Sequence, residues 1–221
     1  MFKKVIKAIF KKMGYDLVKV KVFEKSSTVF SEHSKSNKFI TDLEKLAQRG
    51  LQIPGMIDLR SGQMLYTLCY MQSLSGDVVE IGSWQGRSTS FLGRAVKDSK
   101  NGCLYAIDHF KGNLGKESFY KVDGTLHDLS KKFLSNMSEA GVDNEVNLLD
   151  MPSKEAANKL HDSQIRFLFI DGDHTYEGVK KDIELFFPKL MQGAIVVFDD
   201  YFEGFPGLIK AVDELVIDKN I

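Results

Sequence analysis

The chain has 221 residues, 43% of them hydrophobic, with 30 Lys and Arg against 30 Asp and Glu. That length buries one full core with room for a terminal appendage, and the balanced charge provides no field to attract a nucleic acid. Cys69 and Cys103 lie in apolar segments without CxxC spacing, which excludes a disulfide framework and leaves reduced core thiols; no apolar run nears the ~20 residues of a membrane helix, and no signal-peptide core is present, so a cytoplasmic protein is expected.

Residues 2–13 place Phe2, Val5, Ile6, Ile9, Phe10 and Met13 on one helical face, with Lys3, Lys4, Lys7, Lys11 and Lys12 around the rest. Such a basic amphipathic helix packs on its own domain or on a second copy of the chain, or attaches weakly to an anionic membrane surface. Short amphipathic helices are usually structural, which favours the first reading. Leu17–Phe23 alternates like a short strand, and the polar, serine-rich stretch 26–38 reads as a linker, so the domain proper is expected over 39–221. Ile40–Leu46 and Gly62–Leu74 have helical spacing on either side of a Pro54-Gly55 turn, and Met64, Leu65, Leu68, Cys69 and Met71 form the apolar stripe of the second.

From Asp77 onward strand and helix patterns alternate. Strands are predicted at Val78–Gly82, Cys103–Asp108, Val146–Leu149, Phe167–Asp171 and Ala194–Phe198, with helices near 88–98, 124–140, 153–161, 176–187 and 207–216. Alternation of this kind gives parallel strands joined by right-handed crossovers, a doubly wound, mostly parallel α/β sheet of Rossmann-like type. Ligands then gather beyond the C-terminal strand ends, which is where Glu80, Asp108, Asp150, Asp171, Asp173, Asp199 and Asp200 fall.

The first strand runs into Glu80-Ile-Gly82-Ser83-Trp84-Gln-Gly86-Arg87-Ser88. Gly82 and Gly86 permit a sharp turn and close approach to a ligand, and the helix opening behind them offers free N–H groups to a small, partly anionic molecule. A dinucleotide fingerprint needs glycine where Trp84 stands, and a P-loop needs four residues between its glycines followed by lysine, so neither pattern fits. Asp108 closes the second strand some twenty residues on, where a carboxylate accepts the hydroxyls of an adenosine ribose; a turn cap is the plainer alternative.

A second stretch, Phe167-Leu-Phe-Ile-Asp171-Gly-Asp173-His174, delivers two carboxylates and an imidazole beyond the sheet edge, and Ile195-Val-Val-Phe-Asp199-Asp200 delivers two more carboxylates from the next strand. Carboxylates so close raise each other's pKa unless a positive charge lies between them. A hard divalent cation such as Mg²⁺ suits an all-oxygen set, while the plainer reading has Asp199 and Asp200 capping a turn.

The runs Glu-Ile-Gly-Ser-Trp-x-Gly-Arg-Ser, Phe-Ile-Asp-Gly-Asp-His-x-Tyr-Glu-Gly-Val-x-x-Asp and Gly-Ala-Ile-Val-Val-Phe-Asp-Asp-Tyr together resemble class I S-adenosylmethionine (SAM)-dependent methyltransferases. The resemblance covers about Pro54 to Val216. It is to the metal-dependent sugar O-methyltransferases of the macrocin and aminocoumarin pathways and, more distantly, to catechol-type enzymes. It implies that Gly82, Trp84, Ser88 and Asp108 hold SAM, with Glu80, Ser83, Gly86, Ser153 and Asp171 completing the cofactor set. It implies further that Asp171, Asp199 and Asp200 hold Mg²⁺ and that Asp173 is the candidate general base, with His174 as the alternative base or an orienting group. The expected acceptor is a sugar, a glycan or another small molecule with adjacent hydroxyls. The basic leader resembles those of methyltransferases from surface-polysaccharide gene clusters, and the glycine- and aromatic-bearing segment Lys111–Gly124 reads as a mobile cover for that acceptor. Family members carry an antiparallel strand pair after the helix ending near Val216, and this chain stops at Ile221. A sheet ending at the fifth strand exposes an apolar edge unless something else covers it. An NAD-linked oxidoreductase and a SAM-binding domain without catalysis are the competing functions.

Overall fold

The computed structural model describes residues 16–17, 50–112, 129–162 and 164–217. The readings of residues 2–13, 18–23, 26–38, 40–46 and 113–128 lie outside the described residues. In chain order the elements are β1 (Asp16–Leu17), α1 (Leu59–Met71), β2 (Asp77–Ile81), α2 (Arg87–Ser99), β3 (Leu104–Asp108), α3 (Leu129–Ala140), β4 (Val146–Asp150), α4 (Ser153–Ala157), β5 (Ile165–Ile170), α5 (Tyr176–Phe186), β6 (Leu190–Phe198) and α6 (Pro206–Val212). A short 3₁₀ turn follows α5, and a π-helical turn, Asp213–Ile217, follows α6.

All strand pairs are parallel, in the order β1-β6-β5-β2-β3-β4. β2 and β5 are central and buried along their whole length, which is why they read as continuous apolar runs. Alternation along them feeds two cores. Val78, Phe167 and Phe169 face α1 and α2 with Leu65, Cys69, Phe91 and Leu92, while Val79, Ile81, Leu168 and Ile170 face the other layer with Leu160 and Phe186. Each large aliphatic or aromatic side chain so buried contributes roughly 1.5–3 kcal/mol, so these two strands anchor the sheet from both sides.

The edge beyond β6, which the sequence leaves open, is paired: Asp16 lies opposite Ile195 and Leu17 opposite Val196. The partner comes from the segment upstream of the polar stretch, not from a C-terminal antiparallel pair.

Four boundaries differ from the sequence pattern. α1 starts earlier, at Leu59, because Asp58 caps it by accepting the Ser61 N–H at 2.7 Å. α4 ends at Ala157, and a turn closed by Asn158 and Lys159 replaces its expected last residues. β6 starts at Leu190, because Gly193, at φ 86°, lets the strand bulge where its register against β5 shifts. The expected helix 207–216 is α6 continued by the π turn.

A charge hidden in β5 secures the opposite end of the sheet. Arg166 has no exposed surface, and its guanidinium donates to the carbonyls of Gly76 at 2.9 Å, Cys69 at 2.8 Å and Asn101 at 3.1 Å, tying together three segments that precede or end neighbouring elements. Both cysteines are free thiols, and burial pushes the Cys69 thiol up to about 11. No described helix is long and apolar enough to cross a membrane.

Candidate active site

At the C-terminal end of β2 the backbone is held in an unusual shape. Gly82, Trp84 and Gly86 have φ of 89°, 43° and 91°. A Cβ on Gly82 would strike the Asp171 carbonyl, and one on Gly86 would strike Met137 and Phe133, so glycine is required there by close protein packing as well as by φ. The turn is pinned on both sides: the Gly82 N–H donates to the Ile107 carbonyl at 2.9 Å, and the Asp171 N–H donates to that of Ile81 at 2.8 Å. Gly86 then serves as N-cap of α2 without a side-chain cap, leaving first-turn N–H groups to a ligand over the turn.

Glu80 and Asp108 flank this turn. Glu80 is fully buried; the Thr89 hydroxyl donates to its Oε2, while Glu80 Oε1 and the Ser83 hydroxyl are buried with no hydrogen-bond partner among the described residues. Burial raises the Glu80 carboxyl to about 7; the Ser88, Thr89 and Ser83 hydroxyls facing it pull the other way, and the charge of Asp108 adds to the rise. Asp108 is fixed by two backbone donors, the Trp84 N–H at 2.8 Å and the Phe110 N–H at 2.7 Å. An ionised carboxylate has about four lone-pair sites, so each Asp108 oxygen retains acceptor capacity for a ribose hydroxyl. Phe110 is itself at φ 53°. Strain of this kind, at ~1–3 kcal/mol per residue, is kept where a site needs it.

The other half lies beyond β5 and β6. Asp171 follows β5 directly, and Asp199 and Asp200 follow β6, with the Asp199 N–H donating to the Ile170 carbonyl at 3.0 Å and Asp200 held at φ 51°. His174 stands between them: Nε2 is 3.4 Å from Asp171 Oδ1, and Nδ1 is 3.8 Å from Asp200 Oδ2. Burial holds Asp171 well above the usual carboxylate range, and Asp199, Asp200 and Glu80 raise it further. Burial, then the charge of Asp200, takes Asp199 to about 6. Asp200 is likewise raised by burial, against the pull of His174. Three crowded carboxylates with raised pKa values, with an imidazole near two of them, form a set of oxygen donors at this strand end. The donor set fits Mg²⁺, although among the described residues no three His, Cys, Asp or Glu side chains are arranged to hold a metal as they stand.

Two expected residues face elsewhere. Asp173 is exposed, accepts the Thr175 N–H at 2.9 Å and lies against Gly178, so its carboxylate caps the turn into α5 and stays out of the buried cluster. Ser153, at the start of α4, lies close enough to Asp182 on α5 to pull that carboxyl's pKa down.

Two further residues shape the site without a sequence signature. Arg87 donates to the Ile53 carbonyl at 2.7 Å and to that of Ile57 at 2.9 Å, clamping the 53–57 segment over the start of α2. Asp182 is buried beneath the Gly172 loop, its carboxyl raised to about 6 chiefly by burial, with Ser153 opposing. The alternating apolar pattern of α5 places Asp182 one residue before the buried Ile183, the single hint of its burial.

Residues 79–201 match the family described as "Methyltransferase domain", a span from β2 through both halves of this site. The chain belongs to that family. Among solved structures, the O-methyltransferase NovP superposes with a TM-score of 0.61 at 21% identity, covering 81% of this chain and 89% of its own. The calicheamicin methyltransferase CalS11 gives 0.54 at 18%, covering 90% and 91%. TomG from Streptomyces achromogenes, an O-methyltransferase in complex with SAM, gives 0.55 at 17%, covering 82% and 84%. These likenesses define the class I methyltransferase fold. In sequence the chain is 41% identical over 56 residues to the uncharacterized protein R132 of Acanthamoeba polyphaga mimivirus, and 29% identical over 130 residues to the uncharacterized protein y4gI of Sinorhizobium fredii. These matches cover 24% and 56% of this chain and span 25% and 13% of those relatives.

Proposed function

We propose that the chain transfers the methyl group of SAM to a hydroxyl oxygen of a sugar or another small acceptor with two adjacent hydroxyls, with Mg²⁺ assisting. The observation that carries this reading is the pairing, at one end of one sheet, of a ribose-ready Asp108 beside a glycine turn with the cluster of Asp171, His174, Asp199 and Asp200. The structures of NovP, described as an O-methyltransferase, and of CalS11, described as a TDP-rhamnose 3'-O-methyltransferase, share its fold and support transfer to oxygen and a sugar acceptor.

Asp108 accepts the cofactor's ribose hydroxyls, and the unpartnered Glu80 and Ser83 oxygens, with Asp171 nearby, receive its polar amino-acid end. Asp171, Asp199 and Asp200 would hold Mg²⁺, which when bound lowers the pKa of an acceptor hydroxyl as a Lewis acid. His174, whose imidazole stands beside these carboxylates, is the group placed to take the hydroxyl proton. The oxygen freed of its proton attacks the methyl carbon, the carbon–sulfur bond breaks, and S-adenosylhomocysteine leaves.

The test is transfer of labelled methyl from SAM to a panel of nucleotide sugars, glycans and catechols, with and without EDTA. Label should enter a vicinal-diol acceptor, vanish in EDTA and return with Mg²⁺. Full turnover in EDTA would remove the metal from the account, and no transfer to any diol would remove the acceptor class.

A further inference from the structure

Beyond the carboxylates, the turn after β6 presents an aromatic ring that the protein core does not use. Phe202 is 54% exposed, yet it is fixed in place. The turn is closed by the Phe202 N–H donating to the Asp200 carbonyl at 2.7 Å and the Phe205 N–H donating to that of Phe202 at 3.0 Å. The tip of the Phe202 ring lies over Gly204, where any Cβ would collide with it, and the ring meets Phe205 in a T-shaped contact at 5.2 Å. Phe205 in turn packs edge-on against His174 at 4.5 Å. A chain of rings therefore leads from solvent to the imidazole between Asp171 and Asp200. What singles Phe202 out among the exposed aromatics is its place, one ring away from the imidazole beside the strand-end carboxylates, where an incoming ring meets an apolar face.

We infer that Phe202 is a specificity-determining residue of the acceptor site, a one-sided platform on which the apolar C–H face of a neutral pyranose ring stacks so that its adjacent hydroxyls point toward His174. The inference rests on the proposed methyl transfer and names its acceptor class more closely. The face of a phenyl ring is electron-rich and attracts the positively polarised C–H groups of a sugar. The exposed carboxylate of Glu203 in the same turn disfavours an anionic ring. Phe205 acts as a positioning residue, setting both Phe202 and His174.

The test uses the full chain loaded with S-adenosylhomocysteine and two probes, methyl α-L-rhamnopyranoside and catechol, followed by saturation-transfer NMR and titration. Wild type should bind the rhamnoside. Phe202→Ala should weaken it about three- to tenfold, the range expected for loss of one aromatic contact, while Phe202→Tyr should restore it. S-adenosylhomocysteine affinity should be the same in all three proteins. Equal rhamnoside binding by Phe202→Ala, or no rhamnoside binding by a wild type that binds S-adenosylhomocysteine, overturns the platform. Phe202-dependent binding of catechol alone overturns the sugar assignment. A wild type that does not bind S-adenosylhomocysteine instead overturns the methyltransferase reading beneath it.

Discussion

The two halves of the strand-end site are built on opposite principles. Around β2 and β3 the backbone does the holding: Asp108 is fixed by two N–H donors, and Gly82 is locked between β3 and β5. Around β5 and β6 carboxylates are pressed together, with raised pKa values at Asp171, Asp199 and Asp200 and, among the described residues, His174 between Asp171 and Asp200. The first half leaves Glu80 Oε1 and the Ser83 hydroxyl buried without a partner among the described residues. The second is crowded carboxylate against carboxylate, and protonation relieves it.

The largest effect should come from breaking the second half alone. Asp199→Ala should lower methyl transfer by at least about a hundredfold, the scale of losing charge stabilisation at the reacting oxygen, and leave S-adenosylhomocysteine binding within about twofold. Rate and calorimetry on the same preparation check both. His174→Ala should follow with a loss of about 10²–10⁴-fold in turnover, as for removal of a general base. Asp173→Asn is the informative contrast. Because Asp173 caps the turn into α5 and asparagine keeps the oxygen that accepts the Thr175 N–H, its change should cost less than about 0.5 kcal/mol of stability and leave the pH–rate profile unmoved. A profile flattened by Asp173→Asn but not by His174→Ala would reverse the two roles.

Breaking the first half should act on binding. Asp108→Ala should weaken S-adenosylhomocysteine by about 1.5–3 kcal/mol, since charged-group hydrogen bonds are lost. The smallest test concerns Asp182, which lies under the junction of the two halves. Burial raises its folded-state pKa to about 6, above the ordinary aspartate value of about 3.9, so its contribution to stability is full below about 3.9 and is lost as pH rises through about 6. Asp182→Asn should remove that loss and leave the variant up to about 2–3 kcal/mol more stable relative to wild type at pH 7 than at pH 4. Urea midpoints at the two pH values measure it.

Much of this site was legible in the chain. Buried parallel strands announce themselves as continuous apolar runs, so β2 and β5, and with them the placing of Glu80, Asp108, Asp171, Asp199 and Asp200 at strand ends, followed from periodicity. What escaped was interaction across the sequence. Arg166 sits in an apolar run and is tolerated because three distant carbonyls meet it. Arg87 clamps a segment some thirty residues upstream. The division of labour between Asp173 and His174 depends on which way two neighbouring side chains turn, and spacing does not encode that. The early start of β6 was hidden by Gly193, which reads as a loop residue and forms a bulge.

The separation of the two halves is tested most directly by titrating S-adenosylhomocysteine into an Asp199→Ala, His174→Ala double variant in EDTA. Binding as tight as that of wild type with Mg²⁺ is the predicted result, since the backbone-held half needs neither the cation nor the second cluster. A loss of more than about tenfold, or about 1.4 kcal/mol, would show that the cofactor half is not self-sufficient and would contradict the account.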